Sequence, residues 1–165
     1  MPVREVLRLP ERVLKLRSHE LAGRTADDLV ADLIDTMRVS PACVGLAAPQ
    51  IGVNQRVIVV DVTGHPRAVT EHGLVCLIDP VVVGSSGRSV GREGCMSVPD
   101  LTANVARAKR VIVQGIDQQG TERVIETDAF EARALQHEID HLDGLLILDR
   151  VTSVSTDVFR RQTYR

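Results

Sequence analysis

An α+β domain with mainly antiparallel sheets is the fold this sequence predicts, and three observations predict it. Apolar β-branched runs such as Val57-Ile58-Val59-Val60 occupy the middle of the chain, between hairpin-type turn signals. Runs with helical periodicity stand near the two ends. Strands and helices do not alternate, so βαβ units with a parallel sheet are not expected. The 165 residues read as a single domain over 1–165, long enough to bury a proper core.

Residues 1–24 are weakly patterned, and Pro2 and Pro10 break any long element. Thr25-Ala26-Asp27-Asp28 supplies N-cap candidates and early acidic residues for a helix to about Arg38. Leu29, Val30, Leu33, Ile34 and Met37 follow the 3.6-residue period, so this helix should pack one face on the core; Ser40-Pro41 ends it. Residues 56–62 read as a strand and 63–73 as a polar loop. Residues 74–83 give one or two further strands, interrupted at Asp79-Pro80, and Gly84-Ser85-Ser86-Gly87 signals a turn. Residues 110–116 and 122–125 flank Asp117-Gln118-Gln119-Gly120 as a hairpin. Thr127 or Asp128 can cap the last long helix, and Gly144 suits its C-terminal end. Leu145-Leu146-Ile147-Leu148 reads as a short strand or packed segment, and the polar tail after about 150 as loosely packed.

Composition narrows the function. The net charge of −2 carries no nucleic-acid footprint, and 2% aromatic residues cannot build a base-stacking platform. Met1-Pro2-Val3-Arg4-Glu5 places charges where a signal peptide would be apolar, and no run approaches a membrane span of roughly 20 residues. A cytoplasmic protein is expected. Cys43, Cys76 and Cys95 are odd in number, which argues against a disulfide framework.

The chemistry concentrates in Leu135-Gln136-His137-Glu138-Ile139-Asp140-His141-Leu142-Asp143-Gly144. His137 and His141 are one helical turn apart and project from the same face. A bare pair of histidines would be read as packing. The intervening Glu138 changes that, because a carboxylate beside two imidazole ligands can take a proton from water acidified by a metal.

A catalytic site of this type takes a third protein ligand. A third histidine three residues after Gly144 would complete one familiar pattern, but that position is Ile147. A downstream glutamate would complete another, but no Glu follows Glu138. The ligand must come from upstream, where His19, His65, His72, Cys43, Cys76 and Cys95 are available. His65 and His72 lie in the polar loop, where solvated histidines are ordinary, and Cys76 lies in an apolar run. Cys95, between Gly94 and Met96, has the most unusual setting, yet spacing alone leaves the choice open.

Three stretches resemble one family. Gly45-Leu46-Ala47-Ala48-Pro49-Gln50, Glu93-Gly94-Cys95-Met96-Ser97 and Gln136-His137-Glu138-Ile139-Asp140-His141 look like the three signature motifs of peptide deformylase, in the family's order and with similar intervals. The resemblance covers roughly residues 40–150. It implies Cys95, His137 and His141 as metal ligands and Glu138 as acid/base. It implies one divalent ion, commonly Fe(II), replaceable by nickel, cobalt or zinc. The implied reaction removes the formyl group from the N-terminal formyl-methionine of new polypeptides and releases formate. Its partners would be nascent chains close to the ribosome, with no direct nucleic-acid or membrane binding.

The resemblance places the carboxamide of Gln50 and the backbone N–H of Met96 at the oxyanion, where such donors are effective. Gly45 leaves its backbone open to an extended substrate. Val44, Phe130 and Ala134 are candidate walls for the methionine side chain, and Arg107 resembles a family arginine that pairs with Glu93. Two departures stand out: Cys43 occupies a position usually held by Gly, and Met96 replaces the commoner Leu. The rival readings are an amide hydrolase acting on other N-acyl peptides and a non-catalytic metal-site protein.

Overall fold

The computed structural model describes residues 3–161. Helix α1 (Asp27–Val39) is followed by strands β1 (Gly45–Ala47), β2 (Val57–Val60), β3 (Val75–Ser86), β4 (Ser89–Cys95), β5 (Val98–Arg107), β6 (Arg110–Ile116) and β7 (Glu122–Asp128). Helix α2 (Ala129–Leu142), the short helix α3 (Val154–Asp157) and β8 (Val158–Arg160) follow within the described residues. Every pairing between these strands is antiparallel, giving a five-stranded sheet β1-β2-β3-β6-β7 and a three-stranded sheet β4-β5-β8. The α+β reading holds.

The larger sheet is packed on both faces, and β2 shows how. Alternate side chains of a strand point to opposite sides. Val57 and Val59 join Val30, Leu33 and Met37 of α1 in one apolar cluster. Ile58 and Val60 join Ala132, Leu135, Ile139 and Leu142 of α2 in another. This is why 57–60 is apolar without alternation and fully buried. Helix α2 thus lies against one face of the sheet along a 132/135/139/142 stripe. His137 and His141 fall off that stripe, towards β4 of the smaller sheet, while Glu138 lies beside Gly45 on edge strand β1.

The C-terminal end of α2 closes as the sequence predicts. Gly144 has φ +74°, its N–H donates to His141 O at 3.2 Å, and Leu145 N–H reaches Asp140 O at 2.9 Å. These are the two bonds of a Schellman ending.

Several expectations need correction. Ala26 takes the N-cap position of α1, and Asp128 takes that of α2, but neither side chain makes a capping bond. The 84–87 turn starts later: Gly84, Ser85 and Ser86 remain in β3 and pair with Ile112, Val111 and Arg110. Asp79-Pro80 does not divide β3 but bends it at a register shift, where the Asp79 carboxylate accepts the N–H groups of Leu21 and Ala22 at 2.9 and 3.0 Å. Of the two readings of 145–148 the strand fails and the packed segment holds: Leu146 and Ile147 are buried, and Ile147–Asp149 is a 3-10 turn. The tail pairs through β8 with β5 at Leu101, Thr102 and Ala103, although no residue from 151 to 161 is buried. Its last four residues lie outside the described range. Among the described residues no helix is long and apolar enough to cross a membrane.

Candidate active site

Where α2 faces the smaller sheet, Cys95, His137 and His141 each offer one ligand atom, and the three atoms lie within 4.8 Å of one another. Cys95 is the last residue of β4, and its Sγ is 3.4 Å from His141 Nε2. A thiolate and two imidazoles are a donor set that suits Fe(II) or Zn(II), so the group could hold a metal ion. Burial pushes the Cys95 thiol up, but the imidazoles of His141 and His137 outweigh it and hold the thiol well below its ordinary range. That favours the thiolate a metal needs.

His137 is oriented from behind. Glu93 Oε1 lies 2.9 Å from its Nδ1, which leaves Nε2 for the centre. Glu93 also accepts a two-pronged contact from Arg107, at 2.8 and 2.9 Å, and a bond from Arg133 Nη1 at 2.6 Å. Arg107 continues to Asp140 at 2.6 Å, and Arg150 grips the same carboxylate at 2.6 and 2.9 Å. The buried charges Glu93, Arg107 and Asp140 therefore compensate one another, as buried charges must. Arg107 lies behind Glu93 instead of lining the cavity in front of the centre.

Glu138 is 5% exposed, and its Oε1 has no hydrogen-bond partner. Burial raises its pKa, with His137 and His141 only partly offsetting that effect. A buried carboxylate with one oxygen uncommitted and an elevated pKa is poised to exchange a proton. Beside it, Gln50 is fixed by two contacts: its Oε1 accepts the Ala47 N–H at 3.0 Å, and its Nε2 donates to Ser97 Oγ at 3.2 Å. The Ala47 bond decides which end of the amide faces the centre, so Nε2 is the end directed at Cys95, 3.8 Å from Sγ.

A cavity of about 470 Å³ opens in front of these groups. Its lining includes Val44, Gly45, Gln50, Glu93, Cys95, Met96, Phe130, Ala134, His137 and Glu138, so the sequence brings all of these predicted residues to one place. His141 lies deeper, at 1% exposure. Cys43 also lines the cavity, with Sγ 3.1 Å from Gly45 O; burial and the Glu138 charge push its pKa up to about 12.

Sequence reasoning missed several supporting residues. Arg133 stands four residues before His137, on the same helical face, so spacing could have found it. Asp140 and Ser97 belong to quoted motifs but carried no assigned part. The loop histidines are not simply solvated: His65 stacks on Phe130 with ring centroids 3.8 Å apart, and His72 meets the buried Glu131 at 2.5 Å.

Fold and site together define a class: an α+β protein whose candidate metal centre takes two histidines and an adjacent glutamate from one helix and a cysteine from a sheet. The profile of the polypeptide deformylase family matches residues 3–157, and the chain belongs to that family. A peptide deformylase of Thermodesulfovibrio yellowstonii is 40% identical over 164 residues, 98% of this chain and 97% of its own length. One from Halothermothrix orenii is 39% identical over 161 residues, covering 96% and 99%. The crystal structure of peptide deformylase from Ehrlichia chaffeensis in complex with actinonin superposes with a TM-score of 0.86 at 34% identity, covering 94% of this chain and 92% of that one.

Proposed function

We infer that this chain is a metal-dependent peptide deformylase, hydrolysing the formyl group from the N-terminal formyl-methionine of new polypeptides and releasing formate. The observation that carries the reading is the Cys95, His137 and His141 cluster with the free Glu138 oxygen beside it, in a chain of the deformylase family. Cys95, His137 and His141 would hold one divalent ion. Fe(II) is the proposed metal, with zinc, nickel or cobalt as substitutes. When bound, such an ion supplies Lewis acidity that acidifies water and polarises a carbonyl oxygen.

The protein's own groups do the rest. Glu138 takes the proton of the attacking water as its oxygen bonds to the formyl carbon, then delivers it to the leaving amine as the C–N bond breaks. Gln50 Nε2 and the Met96 N–H donate to the oxygen that becomes negative; losing one such donor typically costs about 2.7–4 kcal/mol of transition-state stabilisation. Glu93 holds His137 in the tautomer and orientation the centre needs. The outward backbone of Gly45, on edge strand β1, would pair with an extended substrate. Val44, Phe130 and Ala134 would receive the methionine side chain. The substrate implies work close to the ribosome, in the cytoplasm.

The test is formate release from formyl-Met peptides by Fe(II)-loaded protein prepared without oxygen. Parent activity and near-complete loss in Glu138→Ala, with metal content retained, are expected. An active Glu138→Ala protein would overturn the mechanism.

A further inference from the structure

The chain has two phenylalanines, and both seat an arginine. The Arg67 guanidinium lies over Phe130 at 4.9 Å from the ring centre, and that of Arg92 lies over Phe159 at 3.6 Å. A ring face attracts a flat cation electrostatically, so each arginine is held in place without being neutralised. Both side chains are exposed, and both line the cavity that holds Cys95 and Glu138. They approach it from different parts of the fold. Arg67 comes from the loop before β3 and rests on the first turn of α2, whereas Arg92 comes from β4 and rests on β8.

Neither arginine has an ion-pair partner among the described residues. Arg92 donates to the neutral Asn104 and Thr102, at 3.1 and 3.5 Å. The carboxylates on the same cavity are Glu93 and Glu138, and neither can answer the two cations. Glu93 is buried and engaged by Arg107, Arg133 and His137. Glu138 is buried beside the candidate metal group. The cavity therefore presents fixed, exposed positive charge in a chain of net charge −2. The charge is a property of this arrangement and not of the overall composition.

We propose that Arg67 and Arg92 are specificity-determining residues that favour formylated peptides carrying a carboxylate in the residues just after the first. The proposal rests on the deformylase reading. Guanidinium matches a carboxylate in shape and charge. A rim cation of this kind attracts the substrate during encounter, so it acts on kcat/KM and is screened by salt. A carboxylate can come from an Asp or Glu side chain or from the free end of a short peptide. The proposal commits to the side chain, because that is what a growing polypeptide presents.

The experiment measures formate release from amidated formyl-Met-Ala-Xaa-Ala peptides with Glu, Gln or Lys at Xaa, plus the free-acid form of the Gln peptide. Expected is kcat/KM in the order Glu, Gln, Lys, with about three- to tenfold between the extremes, the scale of two exposed charge pairs. The spread should shrink between about 0.02 and about 0.5 M salt, and Arg67→Glu combined with Arg92→Glu should invert the order. Equal rates for the three amidated peptides, or a gain confined to the free acid, would overturn the proposal. So would an order that survives both charge reversals. Should the double variant not fold, an order in the parent unchanged by salt would overturn it as well. No release from any peptide would sink the deformylase reading itself, and this proposal with it.

Discussion

The carboxylate of Glu138 occupies the space where a side chain at position 45 would begin. A Cβ built on Gly45 would lie 2.7 Å from Glu138 Oε2 and 3.0 and 3.1 Å from its Cγ and Cδ. Gly45 and Glu138 therefore fit only as a pair, and the glycine fixes where the proposed base can stand.

Gly45→Ala is expected to push the Glu138 carboxylate aside while leaving the cysteine and histidines in place. A displacement on the order of 1 Å in a catalytic group can cost about 10²-fold in rate. The measurement is kcat together with metal per chain. The expected outcome is a fall of that size in kcat at unchanged stoichiometry. Parental kcat in Gly45→Ala would mean that the position of Glu138 does not set the rate.

The buried carboxylate of Glu93 predicts a pH dependence. Burial alone would raise its pKa, but the hydrogen bonds and charges of Arg107 and His137 outweigh burial and hold it well below the ordinary carboxylate range. A group depressed in the folded state stabilises fully above its unfolded value, about 4.3, and that contribution fades as pH falls towards the folded value. Melting temperatures of the parent and Glu93→Gln should differ by a constant amount from about pH 7 to about pH 5, the variant being lower. Below about pH 4 the gap should narrow. A gap that widens on acidification would contradict the assignment of sign.

How much of this was legible in the residues depends on the kind of signal. Fold class, the α2 helix and its glycine ending rest on local periodicity and turn chemistry, which a sequence displays directly. The His137-Glu138-His141 spacing is legible for the same reason, since one helix turn separates the imidazoles. Residues that meet only through tertiary packing were not. Nothing local to Asp140 or Arg150 says that they close a charge network behind His137, and the helical spacing that puts Arg133 on the His137 face does not disclose its partner Glu93, 40 positions away. In the sequence Gly45 reads only as open backbone for a substrate. Its clearance of Glu138, 93 positions later in the chain, could only come from the folded arrangement. The 84–87 turn was misplaced because Ser and Gly are tolerated at the exposed end of a strand whose pairing β6 dictates.

The two cysteines at the cavity should separate cleanly. Cys95 lies among the imidazoles with its thiol held low, whereas Cys43 donates to Gly45 O and has its pKa pushed up to about 12. Only a thiolate binds a divalent ion tightly. Cys95→Ala is expected to lose tight metal binding, and Cys43→Ala to retain one metal per chain. Metal analysis after extensive dialysis checks both. Undiminished stoichiometry in Cys95→Ala would mean that the third ligand is another residue.

Glu131 sits fully buried beside Phe130 in the first turn of α2, and its partners come from one loop residue. Its two oxygens take the His72 backbone N–H at 2.9 Å and the His72 ring at 2.5 Å. The same loop carries His65 and Arg67, the two side chains packed on Phe130 at the cavity. Glu131 thus ties down a wall of the site from a residue that never faces it. Glu131→Ala removes both acceptors and leaves the His72 amide without its partner, a loss of about 1–3 kcal/mol in folding stability. The loop should loosen before the rest of the fold, because Val62 is the only buried residue between 61 and 74 and the remainder are exposed or half-buried. Amide exchange over residues 61–74 is therefore expected to quicken, while the amides of β2 and β6 keep the protection of the parent. KM for formyl-Met peptides should rise more than kcat falls, since under the proposed function the altered wall would contact substrate and not the reacting atoms. Unchanged exchange across the loop would show that the clamp carries no weight there, and a kcat loss at constant KM would place Glu131 in the chemistry instead.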